Sequence, residues 1–141
     1  MHFTTLAASL VLGLSVIAQE PQGDPTSPKA ALAAFQDATG GQWISQWHAA
    51  TATPSAIYGP GLPLADWRAN SLDEARRHAA RLLVDYQDLL GVGASQFAEE
   101  IGARMGRTWA LVYEQSFRGL PVIDGRIDLR IHMTGVVSML G

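Results

Sequence analysis

The sequence predicts an α+β domain in which one long amphipathic helix packs on an antiparallel β-meander. Three observations predict it. Over residues 71–90, Leu72, Ala75, Ala79, Leu82, Leu83, Tyr86, Leu89 and Leu90 recur at helical spacing and form one apolar stripe. From Arg126 to Met133 the alternation is strand-like: Ile127, Leu129, Ile131 and Met133 point one way, and Arg126, Asp128, Arg130 and His132 the other. Turn residues (Gly106, Asp124-Gly125 and Thr134-Gly135) separate the strand patterns at hairpin spacing.

In chain order, Leu6–Ala18 is an apolar run, too short for a membrane span of about 20 residues. It ends in Val16-Ile17-Ala18 before polar Gln19-Glu20-Pro21, the pattern of a signal peptide over 1–18 that is cleaved after Ala18. The alternatives are an uncleaved anchor or a buried helix. Cleavage implies a secreted or periplasmic protein with no membrane association afterwards. Residues 19–34 read as a linker, rich in Pro and polar residues at first. Ala30–Ala38 has Leu32 and Phe35 at helical spacing and stops at Gly40-Gly41.

Trp43, Ser45 and Trp47 share one face of an expected strand over 42–48, and Ile44 and Gln46 share the other. Thr51–Trp67, with three Pro and two Gly, reads as a long connection. Ser71-Leu72-Asp73-Glu74 matches a capping box at the start of the long helix. Asp73–Arg77 and Arg81–Asp85 are spaced for ion pairs, and Gly91 suits the left-handed end of the helix. Phe97–Ala103 and Arg107–Phe117 follow as strands; the second is apolar on both faces and reads as central. Pro121 marks Leu120–Ile123 as an edge segment or kink, and Asp124-Gly125 reads as a two-residue hairpin turn.

The 141 residues carry a formal charge of −3, which gives no reason to expect nucleic acid as a partner. The absence of Cys excludes disulfides, thiolate metal sites and thiol nucleophiles. There is no His-Glu-x-x-His and no Gly-x-Ser-x-Gly. His48, His78 and His132 read as strand, charged helix face and wet strand face, without metal-ligand spacing. Glu99-Glu100 and Asp85/Asp88 read as solvated carboxylates. No catalytic, cofactor or metal residues are assigned within the chain.

The closing stretch resembles the fungalysin/thermolysin-type propeptide domain (FTP domain) of secreted zinc metallopeptidases, related to PepSY modules. Tyr113-x-Gln115-x-Phe117-x-Gly119-Leu120-Pro121-Val122, the strand after Gly125, and Gly135-Val136-Val137-Ser138 with Gly141 carry the resemblance. Trp43–Trp47, Thr53-Pro54 and Ile57-Tyr58-Gly59 add to it, so that it covers residues 35–141. It implies a non-catalytic propeptide module that assists folding of a secreted zinc metallopeptidase and inhibits it. Zinc would belong to that partner, in cis or in trans. The peptidase that follows such a domain is not within these residues, which suggests a fragment or a stand-alone prodomain.

The second reading is an N-terminal protein-interaction or adhesion module of a larger exported protein. Under either, the chain works by binding, and the expected partner residues are Tyr58, Trp67, Arg126, Arg130 and His132. Asp128 lies between the two arginines, so a plain solvated face competes with an anion-binding one.

Overall fold

The computed structural model describes residues 27–141. The expected signal peptide and the first part of the expected linker lie outside them. Ser27 caps helix α1 (Pro28–Thr39): its Oγ accepts from the Ala30 amide at 3.3 Å, and Pro28 occupies the first turn, where its missing N–H goes unused. The helix ends at Gly40, at φ 62°. Residues 28–34, expected as linker, are therefore its opening turns, and they bury Leu32 because that stripe has a core to lie on.

Strand β1 (Ile44–Trp47) pairs antiparallel with β2 (Pro54–Pro63). The long connection expected over 51–67 is thus largely a strand inside the sheet. Its Pro and Gly content is accommodated locally. Tyr58 pairs with Met139 and Leu62 with Val137, so Gly59-Pro60-Gly61 bulges opposite Ser138, where the ladder asks no N–H of Pro60. A Cβ at Gly59 would overlap the buried Trp43 indole, which lies flat against this bulge.

Ser71 caps α2 (Leu72–Asp85) by accepting from the Glu74 amide at 3.2 Å. Glu74 does not close the expected box. Its Oε1 accepts from the Arg68 amide at 2.9 Å and from Arg77 Nη2 at 2.6 Å, which ties the incoming loop to the first turn. Asp73 pairs with Arg76 at 3.3 Å rather than with Arg77; Arg81–Asp85 forms as spaced, also at 3.3 Å.

The long helix is two helices. Tyr86, at φ −115° and ψ 24°, leaves helical geometry, and α3 (Gln87–Leu90) follows, ending at Gly91 with φ 66°. The break turns buried Leu89 and Leu90 toward α1, while the Tyr86 ring meets Phe35 edge-on at 5.2 Å. A straight helix would have carried these residues past the core.

Strands β3 (Gln96–Met105), β4 (Thr108–Phe117), β5 (Leu120–His132) and β6 (Val136–Leu140) form the meander. The sheet is six-stranded, β1-β2-β6-β5-β4-β3, with every pairing antiparallel. Gly106 and Thr134-Gly135 make the expected turns. Asp124-Gly125 does not: the β4–β5 hairpin closes at Arg118-Gly119, with φ 52° and 80°, and β5 runs through Asp124 in a bulge. Asp-Gly suits positive φ better than Arg-Gly does, yet the pairing of Phe117 with Leu120 and of Ser116 with Pro121 places the turn at the earlier pair.

α2 lies over β4 and β3, and α3 against α1. Ile57, Leu111, Leu129 and Ile131 are fully buried beneath them, together with Ile127 and Val137. Each such side chain contributes about 1.5–3 kcal/mol of burial free energy. Met133 lies past the end of β5, is half-buried and stays out of this core. Leu83, 8% exposed, sits in the same cluster. Leu83→Asp should lower the unfolding free energy by more than about 3 kcal/mol, because it buries an unpaired carboxylate; urea unfolding followed by far-UV circular dichroism measures this.

Hydrogen bonds from Arg77 and then from the Arg68 amide hold the Glu74 carboxyl at a pKa of about 2, below the ordinary 4.5. A carboxylate with a depressed folded pKa stabilises the fold above its unfolded value and loses that contribution as pH falls. Glu74→Gln should therefore lower the urea midpoint at pH 6 and flatten its fall between pH 4.5 and 2 relative to wild type.

Candidate functional site

The registers align residues in rows that cross the whole sheet. Ile44, Tyr58, Met139, Arg130, Ala110 and Ala103 are successive cross-strand partners from one edge to the other. The next row on the opposite face is Ser45, Ile57, Leu140, Leu129, Leu111 and Gly102, and its apolar members lie under the helices. Among the described residues both helical layers cover that second face. The first face, with Tyr58 and Arg130 on either side of Met139, is left open.

Arg126 and His132 lie on the open face too. His132 pairs with Thr108 and Val136, and Arg126 with Glu114, each one alternation from the Arg130 row or a further step along it. The structure thus brings together four of the five expected partner residues, Tyr58, Arg126, Arg130 and His132. Their common placement comes from the strict alternation of β5 and from the pairing of β2 with β6.

Both arginines reach across β4. Arg130 Nη1 approaches Met105 Sδ on β3 at 3.1 Å, and Arg126 Nη1 lies 3.5 Å from Glu100 Oε2 on the same strand. Glu100 is the extra residue of a bulge between Glu99 and Ile101, which turns its carboxylate toward Arg126. Between these two straps Ala110 and Val112 are 1% exposed on a face that none of the described helices covers. The arginine stems supply the cover while the guanidinium heads stay at the surface. Burial of Ala110 and Val112 makes β4 apolar on both faces, as its composition requires.

The charges on this face are largely neutralised from within. Arg130 Nη2 donates to Asp128 Oδ2 at 2.6 Å, and the other carboxylate oxygen, Oδ1, is buried without a partner. The half-exposed Arg126 head makes only the longer, single contact. His132 Nδ1 accepts from the Thr134 amide at 3.3 Å and lies 2.7 Å from the Thr134 hydroxyl, which places any proton of a neutral ring on Nε2. The result is a surface of mixed polar and apolar side chains on the open side of the sheet.

Trp67 does not join the other four. Its ring lies 5.5 Å from that of His78, on the helical side, and packs over Gly135 in the β5–β6 turn. Gly135 has φ 78°, and a Cβ there would overlap the Trp67 side chain. Trp67 is therefore a packing residue that closes the core beneath the turn. His78, expected on the charged face of α2, is 3% exposed. Its Nε2 lies 3.0 Å from Arg77 Nη2 and 3.5 Å from Glu74 Oε1, partners that allow burial at a position the charge pattern assigned to solvent. Glu99 is not simply solvated either: Arg76 clasps it through bonds of 2.7–3.1 Å from helix to edge strand, which draws its carboxyl below the ordinary range.

Sequence reasoning missed Met139 and the exposed apolar residues of the β4–β5 hairpin. The signal for the latter was the apolar run Leu120–Ile123 directly after Gly119. Among the described residues no three His, Asp or Glu side chains converge as metal ligands, and no helix is long and apolar enough to cross a membrane. No family model, curated protein or solved structure matches the chain.

Arg130→Ala should lower stability by about 1–2 kcal/mol, through lost cover over Ala110 and a carboxylate left without its partner. His132→Ala should stay within about 0.5 kcal/mol. Paired urea titrations measure the difference.

Proposed function

We propose that this chain is a non-catalytic, propeptide-like module that assists folding of a secreted zinc metallopeptidase and inhibits it. The observation that carries the reading is the open sheet face. Among the described residues all helices lie on one side of the six-stranded sheet, and Tyr58, Arg126, Arg130 and His132 gather on the other. Such a face binds by shape and by mixed polar and apolar contact. The resemblance of Tyr113–Val122 to the propeptide marker supports the choice of partner, and this stretch forms the β4–β5 hairpin at one end of that face. The zinc belongs to the peptidase, and the module contributes no ligand to it.

Tyr58 is 38% exposed and Arg126 is held by a single long ion pair, so both are available to a partner. Added to a thermolysin-type zinc peptidase domain, the purified chain should lower its initial hydrolysis rate and raise its refolding yield from urea. Tyr58→Ala combined with Arg126→Ala should weaken inhibition about tenfold or more without changing the module's own melting temperature. If wild-type protein alters neither activity nor refolding yield, the reading fails.

A further inference from the structure

The β4–β5 hairpin holds the most exposed apolar side chains of the described chain. Phe117 is 44% exposed, Leu120 72%, Val122 36% and Ile123 92%, four of the nine exposed large hydrophobics within seven consecutive residues. None belongs to the core or packs against it. A run of this kind marks a contact surface, because single exposed apolar residues are scattered on ordinary surfaces and not concentrated at one tip.

The tip is built to a fixed shape. The two-residue turn at Arg118-Gly119 uses positive φ at both positions, and Phe117–Leu120 and Ser116–Pro121 pair across it. Below that, residues 122–125 face the single residue Gln115, whose Nε2 donates to Ser95 Oγ at 2.7 Å and anchors the base of the hairpin to the start of the β3 segment. The bulge pushes Ile123 outward. The Arg118 guanidinium stacks on the Phe117 ring at 5.2 Å, and it makes no ion pair among the described residues.

Two observations choose the occupant. A groove of about 320 Å³ runs from Val122 and Asp124, past Gly125, to Arg126 and Glu100, so the hairpin is continuous with the open sheet face. Asp124, next to Ile123, lines that groove together with Glu100 and Glu114, so carboxylates accompany the hairpin wherever it is buried. Hydrocarbon would leave those groups unsatisfied, whereas a protein groove supplies donors and acceptors.

We infer that the hairpin is a prong that inserts Leu120 and Ile123 into an apolar pocket of the partner peptidase, with an acidic rim on that pocket facing Arg118. This rests on the function proposed above, and it names the hairpin rather than the open face as the energetic anchor. Apolar anchors entering a pocket dominate such interfaces, and flat surroundings add complementarity.

The test uses the full chain and a thermolysin-type zinc peptidase domain in a titration of affinity, alongside sedimentation with vesicles of equal parts phosphatidylcholine and phosphatidylglycerol. Leu120→Asp with Ile123→Asp should weaken peptidase binding by about a hundredfold or more, and Leu120→Ser with Ile123→Ser by about tenfold or more. Both variants should melt within a few degrees of wild type, since neither side chain is in the core, and the serine pair remains the readout should the aspartate pair fail to fold. Arg118→Glu should weaken binding about tenfold; undiminished binding overturns the acidic rim. Wild-type affinity in both hairpin variants overturns the prong and leaves the proposed function standing. Absence of wild-type binding overturns both. Sedimentation with vesicles that the aspartate pair abolishes overturns the choice of a protein pocket in favour of a lipid surface.

Discussion

The structure depends on one apolar row: Ile57, Leu140, Leu129 and Leu111, aligned across β2, β6, β5 and β4 beneath the helices. These residues are 0–1% exposed. A strand can offer such a row only in one register, because a slip of one residue would turn every leucine to the other face. The row thus fixes how the four strands meet. It also fixes where α2 must lie, since that helix has its own stripe to bury and this is the apolar surface available. The break at Tyr86 follows from the same demand. Leu89 and Leu90 need cover, α1 provides it, and the helix bends to reach α1 instead of continuing into solvent.

Gathering the helices on one side leaves the other side of the sheet to manage its own exposure. The central strand β4 is apolar on both faces, so its outward residues need shelter without a second helical layer. The two arginines of β5 provide it by laying their stems over β4 and resting their heads on β3. One consequence is that Arg126 and Arg130 are less a pair of free cations than parts of the surface itself. The open face is then a field of Tyr58, Met139, tethered guanidinium groups and His132, its arginines set against Asp128 and Glu100.

In the proposed interaction the open face would give complementarity and the hairpin a projection. The two are joined through the groove at Arg126, so that a partner covering the face would also meet Leu120 and Ile123. The edge strands fit the same picture of directed contact. β1 is short, and β3 carries a bulge at Glu100 with Glu99 clasped by Arg76, devices that discourage another strand from adding to the sheet. The protein thus limits pairing along its edges and concentrates exposed apolar side chains at one tip.

Local periodicity by itself determined the α+β class, the stripe of α2 with its Ser71 cap, the left-handed end at Gly91, the turns at Gly106 and Gly135, and the in-out order of β5. Each of these depends on residues within a few positions of one another. It also placed Arg126, Arg130 and His132 on one wet face, because alternation along a single strand needs no knowledge of neighbouring strands. Tertiary structure decided the rest. Residues 54–63 carry turn-forming Pro and Gly, yet they are a strand because β1 and β6 pair on either side and the bulge absorbs the misfit. Asp124-Gly125 has the stronger local claim to the hairpin turn, and cross-strand pairing selects Arg118-Gly119 against it. His78 is buried because Glu74 and Arg77 fold over it, and Trp67 packs because the β5–β6 turn leaves a space at Gly135. In each case contacts from distant parts of the chain decided among the local alternatives, even against the stronger local preference at the hairpin turn.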